Sequence, residues 1–125
     1  MPFMVLVAIA LGGAIGSVGR YFVASAVQRP FVQFPWGIFV VNISGGFLMG
    51  VIVELSALKL SMPPELRAFL TVGILGSYTT FSAFSLDSVL LIERGAYASA
   101  AAYMVASVVL SVLALFAGLW IIRAV

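Results

Sequence analysis

Ten charged side chains punctuate the chain, and between them run four long stretches without a charge: residues 1–19, 30–53, 68–86 and 95–122. A helix needs about 20 mostly apolar residues to cross a bilayer core about 30 Å thick. Each stretch is therefore predicted to span, and extension to the nearest breakers sets the helices at about 3–26, 34–58, 66–94 and 97–123. The breakers are Arg29-Pro30 and Phe34-Pro35 before the second helix, Met62-Pro63-Pro64 before the third, and Arg94-Gly95 before the fourth. Proline in a first helical turn sacrifices no intrahelical bond, and Glu65 beside it complements the helix dipole. The first stretch has no basic leader and runs through Gly-rich sequence to Arg20 without a cleavage site, so a span is expected there rather than a signal peptide. No repeat or linker divides the chain, which predicts a single membrane domain over 1–125.

Composition agrees with an all-α membrane protein. Of 125 residues, 64% are hydrophobic and 8% charged, against about 25% charged in soluble domains. Six Lys and Arg, scattered along the chain, are too few for a nucleic-acid partner. With no Cys and no His, disulfides, zinc sites, thiol chemistry and imidazole acid–base work are excluded. No Asp pair or Ser–Lys pair falls at mid-span, so no catalytic constellation can be built and the chain is not expected to be an enzyme. The basic residues divide three against three: Lys59, Arg67 and Arg123 on one side of the membrane, Arg20, Arg29 and Arg94 on the other. Lys/Arg asymmetry sets orientation. Equal counts fit either a boundary misplaced by a turn or a chain that inserts both ways and pairs with its inverted copy.

The polar groups converge on one depth. The span midpoints fall near residues 14, 46, 80 and 110, and Asn42 lies about one turn from the second of these. The third span concentrates Gly73, Gly76, Ser77, Tyr78, Thr79, Thr80, Ser82 and Ser85 around its middle, with Phe81 and Phe84 three residues apart. In the fourth, Ser99, Tyr103, Ser107 and Ser111 recur every four residues and share a helix face. Each has a plainer role available: Asn as interhelical glue, Ser and Thr bonding their own i−4 carbonyls, the Ser stripe as a packing face, the Phe rings as apolar bulk. Glycines and successive hydroxyl residues are poor helix formers, so an interruption of the third helix is predicted around 75–80, near the midplane. Irregular backbone at that depth must be buried in protein or line a cavity, where freed carbonyls can meet a cation and freed N–H groups an anion. Neutral donors and the electropositive edges of Phe rings, with no carboxylate nearby, suit a small hard anion. Gly12-x-x-x-Gly16 and Gly46-x-x-x-Gly50 supply small faces for close helix contact without naming a partner.

Gly16-x-x-Gly19-Arg20-Tyr21, Asn42-x-x-Gly45 and Gly73-x-x-Gly76-x-x-Thr79-Thr80-Phe81-Ser82-x-Phe84-Ser85 together resemble the small fluoride channels of the CrcB, or Fluc, family, over essentially the whole chain. The resemblance implies an antiparallel, dual-topology homodimer with two fluoride pores in the bacterial inner membrane. It implies Asn42 as the pore amide, Phe81 and Phe84 lining the ion path with their ring edges, and Ser107 and Ser111 supplying hydroxyls with Tyr103 nearby. It also implies a structural sodium ion at the dimer centre, held by the backbone carbonyls of Gly76 and Thr79 from each copy, and no organic cofactor. Arg20 would sit at a wet end, where Asp87 could pair with it. Ser77, Tyr78 and Ala83 stand where the family more often has Gly, Phe and Thr, Asp87 where Glu is usual, and Gly46 where Ser or Thr is common.

The function expected is passive, selective export of cytoplasmic fluoride. A small proton-coupled exporter of cationic drugs would need an acidic residue embedded in the membrane, typically in the first span; that span has none, and Glu54 and Asp87 lie toward span ends. A non-transporting scaffold would fit the packing glycines but would leave a broken third span without a purpose.

Overall fold

A computed structural model describes residues 2–30 and 33–125. Four helices long and apolar enough to cross a membrane run over Phe3–Gln28, Trp36–Lys59, Pro64–Glu93 and Tyr97–Ala124. The shortest has 24 residues, about 36 Å at 1.5 Å per residue, enough for the apolar core of a bilayer. The first span is α1 (Phe3–Gln28), entered from extended Pro2. The second is α2 (Trp36–Glu54), prolonged by a π-helical turn, Leu55–Lys59, and stopped where Leu60 becomes extended. The third is composite: α3 (Pro64–Ala68), a π-helical segment Phe69–Leu75, the short α4 (Gly76–Tyr78) and α5 (Phe81–Glu93). The fourth, α6 (Tyr97–Ala124), is one continuous helix.

The ends of these elements follow from their residues. Pro64 stands in the first turn of α3, with Glu65 beside it and Arg67 in the last turn, each charge on the favourable end of the helix dipole. Gly95 has φ 79°, and its N–H meets the Ile92 carbonyl while the Ala96 N–H meets that of Leu91. This is the two-bond helix stop that requires left-handed backbone, hence glycine. The α1–α2 connector is held by Gln28, whose amide donates to the Phe34 carbonyl at 3.0 Å and accepts from the Gly37 N–H at 2.9 Å.

Close helix approach holds the bundle, and the glycine spacings act within the chain. Gly12 backs onto the π-helical segment of the third span: a methyl group there would lie 2.9 Å from the Gly73 Cα. On the other flank α2 packs along α6, where a Cβ on Gly46 would come 2.8 Å from the Ser111 carbonyl oxygen and one on Gly118 would meet Phe47. Small residues let backbones approach in lipid, where burial of apolar side chains gives no driving force. Glu54, 8% exposed, forms an ion pair with Arg123 and ties the end of α2 to the end of α6. The interior is small and aromatic: Leu91, Ala100 and Tyr103 are buried, packed by Phe34, Phe39 and Phe84. Apolar side chains such as Leu11, Ile15, Val105 and Trp120 are exposed on the outside, as helices facing acyl chains require.

Candidate functional site

Halfway along the third span the backbone leaves helical geometry for two residues. Thr79 has φ −81° and ψ 156°, and Thr80 φ −151° and ψ 127°, before α5 starts at Phe81. Two backbone donors change partner as a result. In a continuous helix the Thr80 N–H would bond the Gly76 carbonyl; here it donates to Asn42 Oδ1 at 2.9 Å. The Ala83 N–H would bond the Thr79 carbonyl; here it donates to Thr80 Oγ1 at 3.1 Å, with Thr80 capping α5. The carbonyls of Gly76 and Thr79 are thereby released from their helical donors.

Asn42 completes the exchange. Its Nδ2 donates to the Thr80 carbonyl at 3.1 Å while its Oδ1 takes the Thr80 N–H, so one side-chain amide pairs with the N–H and C=O of one residue as a neighbouring strand would. An amide nitrogen carries two hydrogens, of which this pair uses one. Asn42 thus ties α2 to the third span and lines the cavity beside it.

A cavity of about 380 Å³ opens at this place. The interrupted segment contributes Gly76, Thr79 and Thr80, α2 contributes Asn42, α5 contributes Phe81 and Phe84, and α6 contributes Ser107, Val108 and Ser111. The Phe81 and Phe84 rings lie 5.6 Å apart at 45°, and Phe81 is 78% exposed. The hydroxyl oxygens of Ser107 and Ser111, one helical turn apart, are buried and have no hydrogen-bond partner. Neither bonds its i−4 carbonyl, so both are donors without an acceptor. Such groups are costly unless something supplies one.

Tyr103 stands just outside, fully buried, with its ring 5.2 Å from that of Phe84. Its hydroxyl donates to Asp87 Oδ2 at 3.1 Å. Asp87 lines a second cavity of about 550 Å³ at the span ends, together with Arg29 and Arg94. Tyr103, Phe84 and Asp87 thus form the wall between the two cavities. Arg20 lines neither cavity, and the pairing of Asp87 with Arg20 expected from the sequence is replaced by the Tyr103 bond. That pairing depends on the rotation of α5, which turns the carboxylate toward α6. Among the described residues no three His, Cys, Asp or Glu side chains gather as a metal site.

Thr80, which the sequence placed in the midplane hydroxyl cluster without a site role, and Val108 also line the cavity. A Thr immediately before a helical apolar run is an N-cap signature that could have marked the first; an apolar residue on a Ser stripe carries no signal for the second.

Residues 7–119 match the family described as CrcB-like protein, Camphor Resistance (CrcB). A Nitrobacter winogradskyi protein named fluoride-specific ion channel FluC is 51% identical over 126 residues, covering 100% of both chains. Its Nitrobacter hamburgensis relative, fluoride-specific ion channel FluC 1, is 52% identical over 98% of each. One from Rhizobium meliloti with the FluC name is 54% identical, covering 90% of this chain and 91% of its own.

Proposed function

This chain belongs to the CrcB-like family, and we propose that it conducts fluoride passively through the cavity at the interrupted third span, as an antiparallel homodimer with two pores. It is a multi-pass bacterial membrane protein and a fluoride channel, not an enzyme. The observation that carries the pore reading is the pair of buried, unpartnered hydroxyls of Ser107 and Ser111 in the cavity that also holds Asn42, Phe81 and Phe84. Two hydroxyl donors, one amide hydrogen and electropositive ring edges can replace part of the hydration of a small anion without trapping it. Chloride is larger and accepts weaker hydrogen bonds, so a short series of neutral donors favours fluoride. Tyr103, bonded to Asp87, closes the path on the side of the outer cavity, and Arg20 stands apart at a wet end. A membrane potential of 100 mV, negative inside, is worth about 2.3 kcal/mol per charge, which drives roughly a 50-fold outward gradient without a coupled reaction.

The homodimer reading rests on what lipid cannot satisfy. Phe81 and Ser82 are exposed at the middle of the third span, beside the Thr80 hydroxyl, which lies 3.3 Å from that of Ser82. A second copy would cover this polar face, and the even division of basic residues permits that copy to be inverted. The released carbonyls of Gly76 and Thr79 suit a hard monovalent cation such as sodium, and a second copy would double the oxygen set. Bound there, the ion would add fixed positive charge at the centre of the assembly.

The test is efflux from liposomes containing the purified chain, read with a fluoride electrode and with chloride as control. Fluoride release with chloride retained is expected. Equal release of both, or of neither, contradicts the proposal.

A further inference from the structure

We infer that Ser44 and Tyr78 are positioning residues, a polar latch that fixes the register of the Thr79–Thr80 interruption against α2. Tyr78 is the last residue of α4, immediately before the extended pair. Its ring is wedged between two glycine surfaces. A Cβ on Gly19 of α1 would lie 3.9 Å from one ring edge, and one on Gly45 of α2 would lie 3.1 Å from the other and collide with the Thr79 methyl group. The Tyr78 hydroxyl reaches Ser44 Oγ at 3.0 Å.

The direction of that bond follows from proton counting. Ser44 has a single hydroxyl hydrogen, and it is directed to the Val41 carbonyl at 3.1 Å. Tyr78 must therefore donate to Ser44, which relays to the backbone of α2. Asn42, Ser44 and Gly45, within four residues of α2, thus grip Thr80, Tyr78 and Thr79 respectively. Asn42 fixes Thr80, the second residue of the interruption, and the Ser44–Tyr78 pair fixes the residue before it, so the Thr79 carbonyl between them is held from both sides.

The relay makes the two partners unequal. Removing the Tyr78 hydroxyl leaves Ser44 with its acceptor. Removing the Ser44 hydroxyl strands the Tyr78 donor inside the membrane, the costlier loss. The experiment compares Ser44→Ala, Tyr78→Phe and the double variant of the full chain in liposomes, by hydrogen exchange at the Thr80 and Ala83 amides and by fluoride efflux. The efflux arm rests on the channel reading above; the exchange arm does not. Ser44→Ala is expected to speed exchange about tenfold and to slow efflux about tenfold, the scale of one unpaired buried hydroxyl. Tyr78→Phe should stay within about twofold of the parent, and the double variant should return to the Tyr78→Phe level. Should Ser44→Ala fail to assemble, recovery of assembly in the double variant supports the latch and continued failure overturns it. Equal effects of the two single changes, or a double variant as impaired as Ser44→Ala, also overturn it. If the parent chain carries no fluoride, the channel reading fails, while the exchange pattern still decides the latch.

Discussion

In the third span the hydroxyls of Thr71, Ser77, Thr79, Ser85 and Ser88 each donate to the carbonyl four residues earlier. In α6 the hydroxyls of Ser107 and Ser111 are buried in the bundle and donate to nothing. The chemistry is the same and the use opposite. The third span contains π-helical turns and an extended pair, and side chains that return to its own backbone support a ladder already interrupted. The α6 ladder is continuous over Tyr97–Ala124, and its Ser107 and Ser111 line the cavity. We propose that the third-span wall, where Thr79 lines the cavity, is polar to maintain the fold and the α6 wall is polar to receive a ligand.

The change that should disrupt the first wall most is Asn42→Asp. It keeps an acceptor for the Thr80 N–H, loses the donor to the Thr80 carbonyl, and sets a negative charge beside an anion path. Loss of one charge-facing donor plus like-charge repulsion is expected to lower fluoride efflux by about 100-fold or more; efflux at the parent rate would make Asn42 structural only. Next in size, Phe84→Ile should reduce efflux roughly 30-fold while chemical cross-linking still detects the proposed dimer, since it removes a ring edge but little volume. The second wall is probed by Ser107→Ala with Ser111→Ala. Because neither hydroxyl has a partner to lose, thermal stability should be unchanged or slightly higher while efflux falls about tenfold. The smallest effect belongs to Ser88→Ala in α5. Its hydroxyl serves the Phe84 carbonyl, so efflux should stay within about twofold and stability should fall by about 0.5–1 kcal/mol. A reversed pattern for the serines of α5 and α6 would erase the distinction between the walls.

Much of this arrangement is legible in the sequence. Charges at the ends of apolar stretches mark spans because a bilayer excludes them, and the observed helices begin and end at Pro64, Arg94 and Gly95 for local reasons written in those residues. The glycine spacings announced close contact, but a spacing does not name its partner. Gly12 turned out to face Gly73 within the same chain. The depth of Asn42, Phe81, Phe84, Ser107 and Ser111 could be counted along their helices; which faces met could not. Helix rotation decided that Asp87 bonds Tyr103 rather than Arg20. Nor could spacing distinguish the serines that bond their own helix from those that do not, because both recur at the same interval. The π-helical turns at Leu55–Lys59 and Phe69–Leu75 left no mark in the hydrophobic pattern.

The most direct test of the two-wall account is fluoride efflux of the Ser107→Ala, Ser111→Ala double variant, measured beside its unfolding temperature and its chloride leak. The account predicts efflux about tenfold below the parent, with the unfolding temperature and the chloride leak unchanged, because the lost hydroxyls served only the ion. Undiminished efflux, or a loss of efflux that tracks a loss of stability, would contradict it.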